Sequence, residues 1–169
     1  MLSKGLNMEK IRKLLEKVVR IEKRFCVISL VIMLAINFAQ VILRYVFNSP
    51  FAWSEEVILI LLVWFGFICM SIDIEMDDHM ALFGLYNMFS DFGKKVLDIL
   101  RHVFLSVFFF FMTIYGYQLF RLALRKKLPA SHLSQGLQFA PILVGGFIMC
   151  VFSLANLFDS ILNKNRGIK

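Results

Sequence analysis

The residues of this chain that could do chemistry are charged side chains set between long apolar runs. Arg44 ends one run, Glu55 and Glu56 open the next, and the turn Asn48-Ser49-Pro50 lies between them. A charge at this depth in lipid is costly unless it is paired or can reach water. Because the turn brings both signs to one membrane edge, we predict an ion pair of Arg44 with Glu55 or Glu56 that holds the two runs in register.

Tryptophan residues mark the same hairpin. Trp53 precedes the glutamates and fits the headgroup level of a membrane, where tryptophan and tyrosine are enriched. Trp64 lies in the middle of the second apolar run and is either an interface anchor or lipid-facing bulk. A well-anchored hairpin with no further role explains these residues as well as a functional site does.

Composition places the whole chain in a membrane. Of its 169 residues 59% are hydrophobic, and the mean hydropathy is +0.74. A soluble domain of this size could not bury so much apolar surface. The net charge of +7 is clustered at particular places, which indicates contact with membrane lipids and argues against nucleic acid. The three cysteines have no metal-ligand spacing. The acidic cluster before His79 could suggest a metal site, but its residues have no recognised ligand spacing either, so we expect no metal and no cofactor on this chain.

Hydrophobic runs predict an all-α membrane protein with four transmembrane helices. The predicted spans cover residues 25–47, 53–74, 97–121 and 138–160, and each can cross a hydrocarbon core of about 30 Å. Short connections join them into one helical unit over residues 25–162. A basic tail, residues 163–169, ends the chain.

The first 24 residues predict an amphipathic helix that lies in the membrane interface. Their apolar residues recur at helical spacing, and basic residues fall largely on the other side. A helix of this kind is attracted to anionic headgroups through its basic face. The apolar positions are Ile11, Leu14, Leu15, Val18 and Ile21.

Polar and small residues inside the spans predict contacts between helices. Asn37 and Gln40 cannot be left unsatisfied in lipid, so we expect them to face another helix. Gly66 and the pair Gly145-Gly146 would allow helices to approach closely. Pro141 falls in the first turn of the predicted fourth span, where proline is tolerated.

The distribution of basic residues predicts the orientation. Apart from Arg101, which lies near the entry of the third span, thirteen Lys and Arg residues fall on the side of the two termini and five on the opposite side. The positive-inside rule then places both termini in the cytoplasm. The loop between the third and fourth spans is an exception, because Arg125, Lys126 and Lys127 would lie outside. This basic cluster predicts either a docking surface for an acidic partner or contact with lipid headgroups.

Several kinds of membrane chemistry are not indicated by the sequence. An ion-coupled carrier usually has an ionisable residue in mid-membrane or interrupted helices, and a haem protein needs axial histidines inside its bundle. Here the charges lie near the ends of the predicted spans, and His79, His102 and His132 lie at ends or in loops. The chain is therefore predicted to be a membrane partner or scaffold and not an enzyme.

Four features together resemble the small membrane subunit of tripartite ATP-independent periplasmic (TRAP) transporters. They are Arg44 with Trp53-Ser-Glu-Glu56, the segment Trp64-Phe-Gly66, His79, and four spans preceded by an amphipathic helix. The likeness covers nearly the whole chain. Asp77-Asp78 departs from the family pattern, which more often has a small or basic residue before the histidine.

The resemblance implies a role in the bacterial inner membrane. In this family a periplasmic binding protein delivers an organic acid, such as a sialic acid or a C4-dicarboxylate, to a large membrane subunit. That subunit moves the substrate by an elevator motion coupled to sodium, so sodium is expected there and not on this chain. The small subunit braces the fixed scaffold and helps to receive the binding protein. The alternative is a stand-alone four-span carrier or channel.

Overall fold

The computed structural model describes residues 2–49, 51–76 and 91–162. Within them the chain forms four helices: α1 Leu2–Val46, α2 Ala52–Met76, α3 Asp91–Ala123 and α4 Gly136–Leu162. Each contains a segment long and apolar enough to cross a membrane: Lys13–Val46, Ala52–Met76, Val96–Ala123 and Gly136–Phe158. The predicted all-α fold with four transmembrane helices is confirmed. His79 and the basic tail lie outside the described residues.

Helix α1 differs from the prediction because it continues through residue 24 without a break. Its 45 residues form one helix, where the sequence predicted an interfacial helix followed by a separate span. The predicted apolar positions also divide: Leu15 is buried and Val18 packs beside it, whereas Leu14 and Ile21 are exposed. An interfacial position for the first 24 residues stays a prediction.

The helices pack in the spatial order α1, α2, α4, α3. The main contacts join α1 to α2, α2 to α4, and α4 to α3. This order leaves α1 and α3 at the outside, and burial follows it. In the most apolar 18-residue stretch of each helix, one third of α4 is buried, against 17% of α1 and of α3. The buried apolar cluster takes side chains from all four helices, and its two most deeply buried members, Met149 and Phe152, lie on α4.

Close packing around α4 depends on glycine. A Cβ atom built on Gly145 would lie 3.0 Å from Cβ of Phe67 in α2, and one on Gly146 would lie 2.9 Å from the hydroxyl of Thr113 in α3. The predicted close approach at this glycine pair is therefore present on both sides of α4. Gly66 differs, because no atom lies within 4 Å of a Cβ built there.

The antiparallel helices define two ends of the molecule. The loop end holds the residues 47–49 after α1 and the loop 124–135, and the terminal end holds the start of α1 and the end of α4. At the terminal end Asn156 Nδ2 donates to the carbonyl of Ile74 at 2.7 Å, which satisfies an acceptor in the last turn of α2. Specific polar contacts thus hold α2 to α4 at a helix end.

Candidate functional site

Glu56 at the start of α2 holds the loop between α3 and α4. Its Oε1 accepts a hydrogen bond from the backbone N–H of Ala130 at 2.9 Å. Its Oε2 accepts two more from Ser131, one from the backbone N–H at 2.7 Å and one from the hydroxyl at 2.6 Å. Hydrogen bonds to an ionised carboxylate are short and strong compared with neutral ones. The carboxylate therefore fixes the tip of a loop that lies some 75 residues further along the chain.

The loop 124–135 also has its own internal framework. Lys127 and Ser134 form an isolated antiparallel bridge, and the amide of Leu128 donates to the carbonyl of Leu133 at 2.8 Å. His132 takes a positive φ of 56°, which lets the chain reverse inside this bridge. The loop is consequently a defined hairpin-like turn and not an unconstrained connection.

This loop presents positive charge at the loop end. Arg125, Lys126 and Lys127, which the sequence singled out, are all exposed there, and His132 is exposed beside them. Beside the hydrogen bonds of Glu56, a shallow cavity of about 300 Å³ lies between the loop tip and the start of α2. It is lined by Trp53, Val57, Ala130, Ser131 and Leu133.

The structure does not bring Arg44 to either glutamate. Glu56 binds the loop, and Glu55 accepts a hydrogen bond from the Nε2 of Gln40 at 3.3 Å. Within the described ranges Arg44 is exposed and forms no ion pair with them. The physical reason is geometric. The loop already supplies three hydrogen-bond donors to the carboxylate of Glu56, so the side chain of Arg44 on α1 is not its partner. Gln40 instead makes the interhelical contact that its polarity predicted.

The two tryptophans have different surroundings. Trp53 is 43% exposed at the loop end and stacks on Phe51, with 5.5 Å between ring centroids. Its role as an interface anchor stays a prediction. Trp64 donates from Nε1 to the backbone carbonyl of Leu137 at 3.1 Å.

The Trp64 bond compensates for a proline. Helix α4 begins at Gly136, so Pro141 lies beyond the first turn, where a missing N–H matters. In a regular helix the N–H at position 141 would donate to the carbonyl of Leu137. Proline has none, and the indole N–H of Trp64 takes its place. The bond ties α2 to α4 through a carbonyl that lipid could not satisfy.

Sequence reasoning missed a buried carboxylate in α1. Glu22 is 5% exposed, and its Oε1 lies 2.7 Å from the hydroxyl of Ser71 in α2. The signal was its spacing, because Leu15, Val19 and Cys26 are buried at the same helical register. Among the described residues no group of three or more His, Cys, Asp or Glu side chains could hold a metal ion.

These observations define a class of protein. Helices α2, α3 and α4 are joined by glycine contacts and by interhelical hydrogen bonds, and the carboxylate of Glu56 fixes a loop outside the apolar spans. Such an arrangement suits a membrane scaffold with one structured loop surface.

Comparison with known proteins names the family. Residues 33–163 match the family described as tripartite ATP-independent periplasmic transporters, DctQ component. The match covers most of the chain, which therefore belongs to this family of small TRAP transporter subunits. The family works with a large permease subunit, and the chain is a multi-pass protein of the inner membrane.

Individual relatives agree with this assignment. A protein of Haemophilus influenzae described as a TRAP transporter small permease protein is 25% identical over 142 residues, covering 84% of this chain and 88% of that protein. A second protein of that organism, with the same description, is 24% identical over 161 residues and matches 92% of this chain and 94% of its own length. The sialic acid TRAP transporter permease protein SiaT of the same species is 28% identical over 82 residues, which are 48% of this chain but only 13% of SiaT.

Proposed function

We propose that this chain is the scaffold subunit of a sodium-coupled secondary transporter for an organic acid, in which it braces the large subunit and helps to dock the periplasmic binding protein. The observation that carries the proposal is the loop 124–135, which Glu56 holds in one conformation by three hydrogen bonds. A fixed loop with an exposed basic cluster suits reception of a protein partner. Both termini then lie in the cytoplasm, and the loop end lies in the periplasm.

Bracing is supported by the way α2, α3 and α4 are joined. Glycine contacts along α4 and hydrogen bonds near both ends of α4 restrict sliding of one helix along another. A subunit that supports a moving partner needs such a fixed frame. Coupling sodium and binding substrate are tasks that we assign to the large subunit.

Docking is supported by the charge of the loop. Arg125, Lys126 and Lys127 are exposed on a loop whose backbone is already ordered, so binding costs little conformational entropy. A basic rim steers an acidic partner and raises the encounter rate more than the final affinity. Such contacts weaken with salt, because the Debye length is about 8 Å at physiological ionic strength.

The substrate class rests on similarity. The family resemblance includes transporters of sialic acids and C4-dicarboxylates, and a relative over 82 residues is named for sialic acid transport. In that relative the stretch similar to this chain is a small part of a much longer polypeptide. We propose an organic acid of one of these classes, delivered by a binding protein to the large subunit.

Charge reversal tests the docking role. The double variant Arg125→Glu with Lys126→Glu should slow transport at limiting binding-protein concentration and leave assembly with the large subunit intact. Transport assays in proteoliposomes, at several binding-protein and salt concentrations, would measure this. The matched control is Lys17→Glu with Arg20→Glu, which makes the same charge change on exposed residues of the terminal end.

The outcomes separate the alternatives. Transport equal to that of the unchanged protein at every binding-protein concentration would rule out docking through this loop. Loss of assembly would instead assign the loop to the contact with the large subunit. Transport by this chain alone in liposomes would favour the stand-alone carrier or channel and contradict the scaffold role.

A further inference from the structure

Helix α1 carries two stripes of side chains, and only one of them is covered. The first, which we call the α2 stripe, alternates by four and three residues and faces α2. Every buried side chain of α1 in the described range belongs to it: Leu15, Val19, Glu22, Cys26, Ser29 and Met33. This spacing is that of left-handed helix packing, in which one seam of a helix stays against one neighbour.

The second stripe has the same spacing but is exposed. We call it the outer stripe; it alternates by three and four residues, and each of its members is exposed in this chain: Val27, Leu30, Leu34, Asn37, Val41 and Arg44. At 100° per residue it lies about a quarter of a turn from the α2 stripe. Helix α1 can therefore pack on α2 and on another helix at once.

Asn37 distinguishes the outer stripe from a face that simply meets lipid. It lies near the middle of the predicted first span, and its Nδ2 donates to the carbonyl of Met33, one turn earlier in the same helix, at 3.0 Å. Within the described residues its side-chain oxygen accepts no hydrogen bond. Lipid tails cannot donate one, whereas a polar side chain of another helix can.

Arg44 decides what kind of partner fits. A second copy of this chain in the same membrane orientation, packed through the same stripe about a twofold axis, would set Arg44 close to its counterpart, and like charges at close range repel. A different helix can instead present a carboxylate or carbonyl at this level. Complementary charge therefore favours a heterologous partner over a second copy.

We infer that the outer stripe of α1 is the contact for one transmembrane helix of the large permease subunit, which presents a polar group opposite Asn37 and an acceptor near Arg44. The inference rests on the proposed function and adds the face through which the subunits meet. A single polar residue in an otherwise apolar stripe fixes the register of two helices. Asn37 would thus set the height of the large subunit relative to this chain.

Site-specific photocrosslinking tests the inference. A benzophenone amino acid would be introduced at Leu34 or Val41 of the outer stripe, in the chain co-expressed with its large subunit. The matched controls are Ile28 and Ile32, which are exposed and lie about 120–180° around the same helix from Leu34 and Val41. We expect covalent adducts with the large subunit from the first two positions and little from the controls.

Adducts between two copies of this chain, or adducts from the control face only, would overturn the inference. So would a lack of adducts at all four positions while the large subunit still co-purifies, and in that case the proposed function would stand. Failure of the unmodified chain to co-purify with the large subunit would contradict the proposed function as well.

A second variant gives an independent readout. Asn37→Leu should reduce association with the large subunit about threefold, the loss of an average hydrogen bond between membrane helices. Asn37→Gln, which keeps the amide, should recover part of it. Because Asn37 bonds only its own helix here, the melting temperature of the isolated chain should not change. Unchanged association of Asn37→Leu would mean that the stripe faces lipid.

Discussion

The contact between α2 and α4 differs in kind from the contact between α1 and α2. Between α2 and α4 the contacts are individually specified: Gly145 meets Phe67, Trp64 meets Leu137, and Asn156 meets Ile74. Helix α1 meets α2 along an apolar seam that is buried from residue 15 to 33 and only half-buried beyond it. Two polar bonds supplement this seam, a short one from Ser71 to Glu22 at 2.7 Å and a longer one from Gln40 to Glu55 at 3.3 Å.

This difference in packing indicates two roles, a rigid frame and a helix with a face free for a partner. Hydrogen bonds near both ends of α4 fix its register against α2, and glycine contacts hold it close to α2 and α3, as a frame requires. Helix α1 keeps an exposed face with heptad spacing, which a second helix can cover without disturbing that frame. Substitutions at the contacts among α2, α3 and α4 should therefore affect stability, and substitutions on the outer stripe should affect association.

The largest effect is expected at Gly116 in α3. A Cβ atom there would lie 2.8 Å from the Cγ2 methyl of Ile142, a branched side chain that cannot easily rotate away. Gly116→Ala should lower the free energy of unfolding by about 1–3 kcal/mol, the usual cost of overpacking. Thermal unfolding in detergent, followed by tryptophan fluorescence, would measure it.

Gly66→Ala is the matched control for that change. It also removes a glycine from a helix interior, but its Cβ would meet no atom within 4 Å. It should raise stability by about 0.5–1 kcal/mol, because alanine loses less backbone entropy on folding. Equal shifts of the same sign in the two variants would contradict the packing described here.

The next effect concerns Glu56. Glu56→Ala removes the acceptor of three hydrogen bonds and should loosen the loop 124–135 and lower the melting temperature. Its neighbour offers a direct comparison, since Glu55 accepts a single long hydrogen bond from Gln40. Glu55→Ala should change the melting temperature less, and hydrogen exchange at Ala130 and Ser131 should quicken only in Glu56→Ala. Similar exchange in both variants would mean that Glu56 does not hold the loop.

A smaller effect is expected from Trp64. Trp64→Phe removes the donor to Leu137 and should lower the free energy of unfolding by about 0.6 kcal/mol, the average for hydrogen bonds between membrane helices, and by no more than about 1.7 kcal/mol. Pro141→Ala supplies a backbone N–H to the same carbonyl. When Pro141 is already alanine, Trp64→Phe should therefore lower the free energy of unfolding clearly less than it does in the unchanged chain. A double-mutant cycle of unfolding free energies would detect the difference. Additive effects would show that the tryptophan bond does not replace the missing helix bond.

The smallest effect on stability is expected at Arg44. Its side chain is exposed and forms no ion pair with Glu55 or Glu56 in the described parts of the chain, so Arg44→Ala should leave the melting temperature of the isolated chain nearly unchanged. A loss comparable to that of Glu56→Ala would restore the ion pair predicted from the sequence. Complex formation with the large subunit is where we expect this variant to be impaired.

The sequence by itself determined the membrane fold. Four long apolar runs can satisfy their backbone hydrogen bonds in lipid only as helices, so their number and approximate limits follow from hydropathy. The pair Gly145-Gly146 likewise predicted close packing, because small residues let membrane helices approach. The motif around Arg44 and Trp53-Ser-Glu-Glu56 was sufficient to indicate the family.

Only the tertiary structure decided which polar groups meet. Arg44 and Glu56 are close along the chain, yet Glu56 binds a loop some 75 residues away, because the order in which helices pack is not encoded in local spacing. The same holds for Trp64, because its partner, the carbonyl of Leu137, lacks a helical donor as a result of a proline in another helix. The local sequence pattern determines which side chains of a helix need a partner. The packing of the helices determines which neighbouring group that partner is.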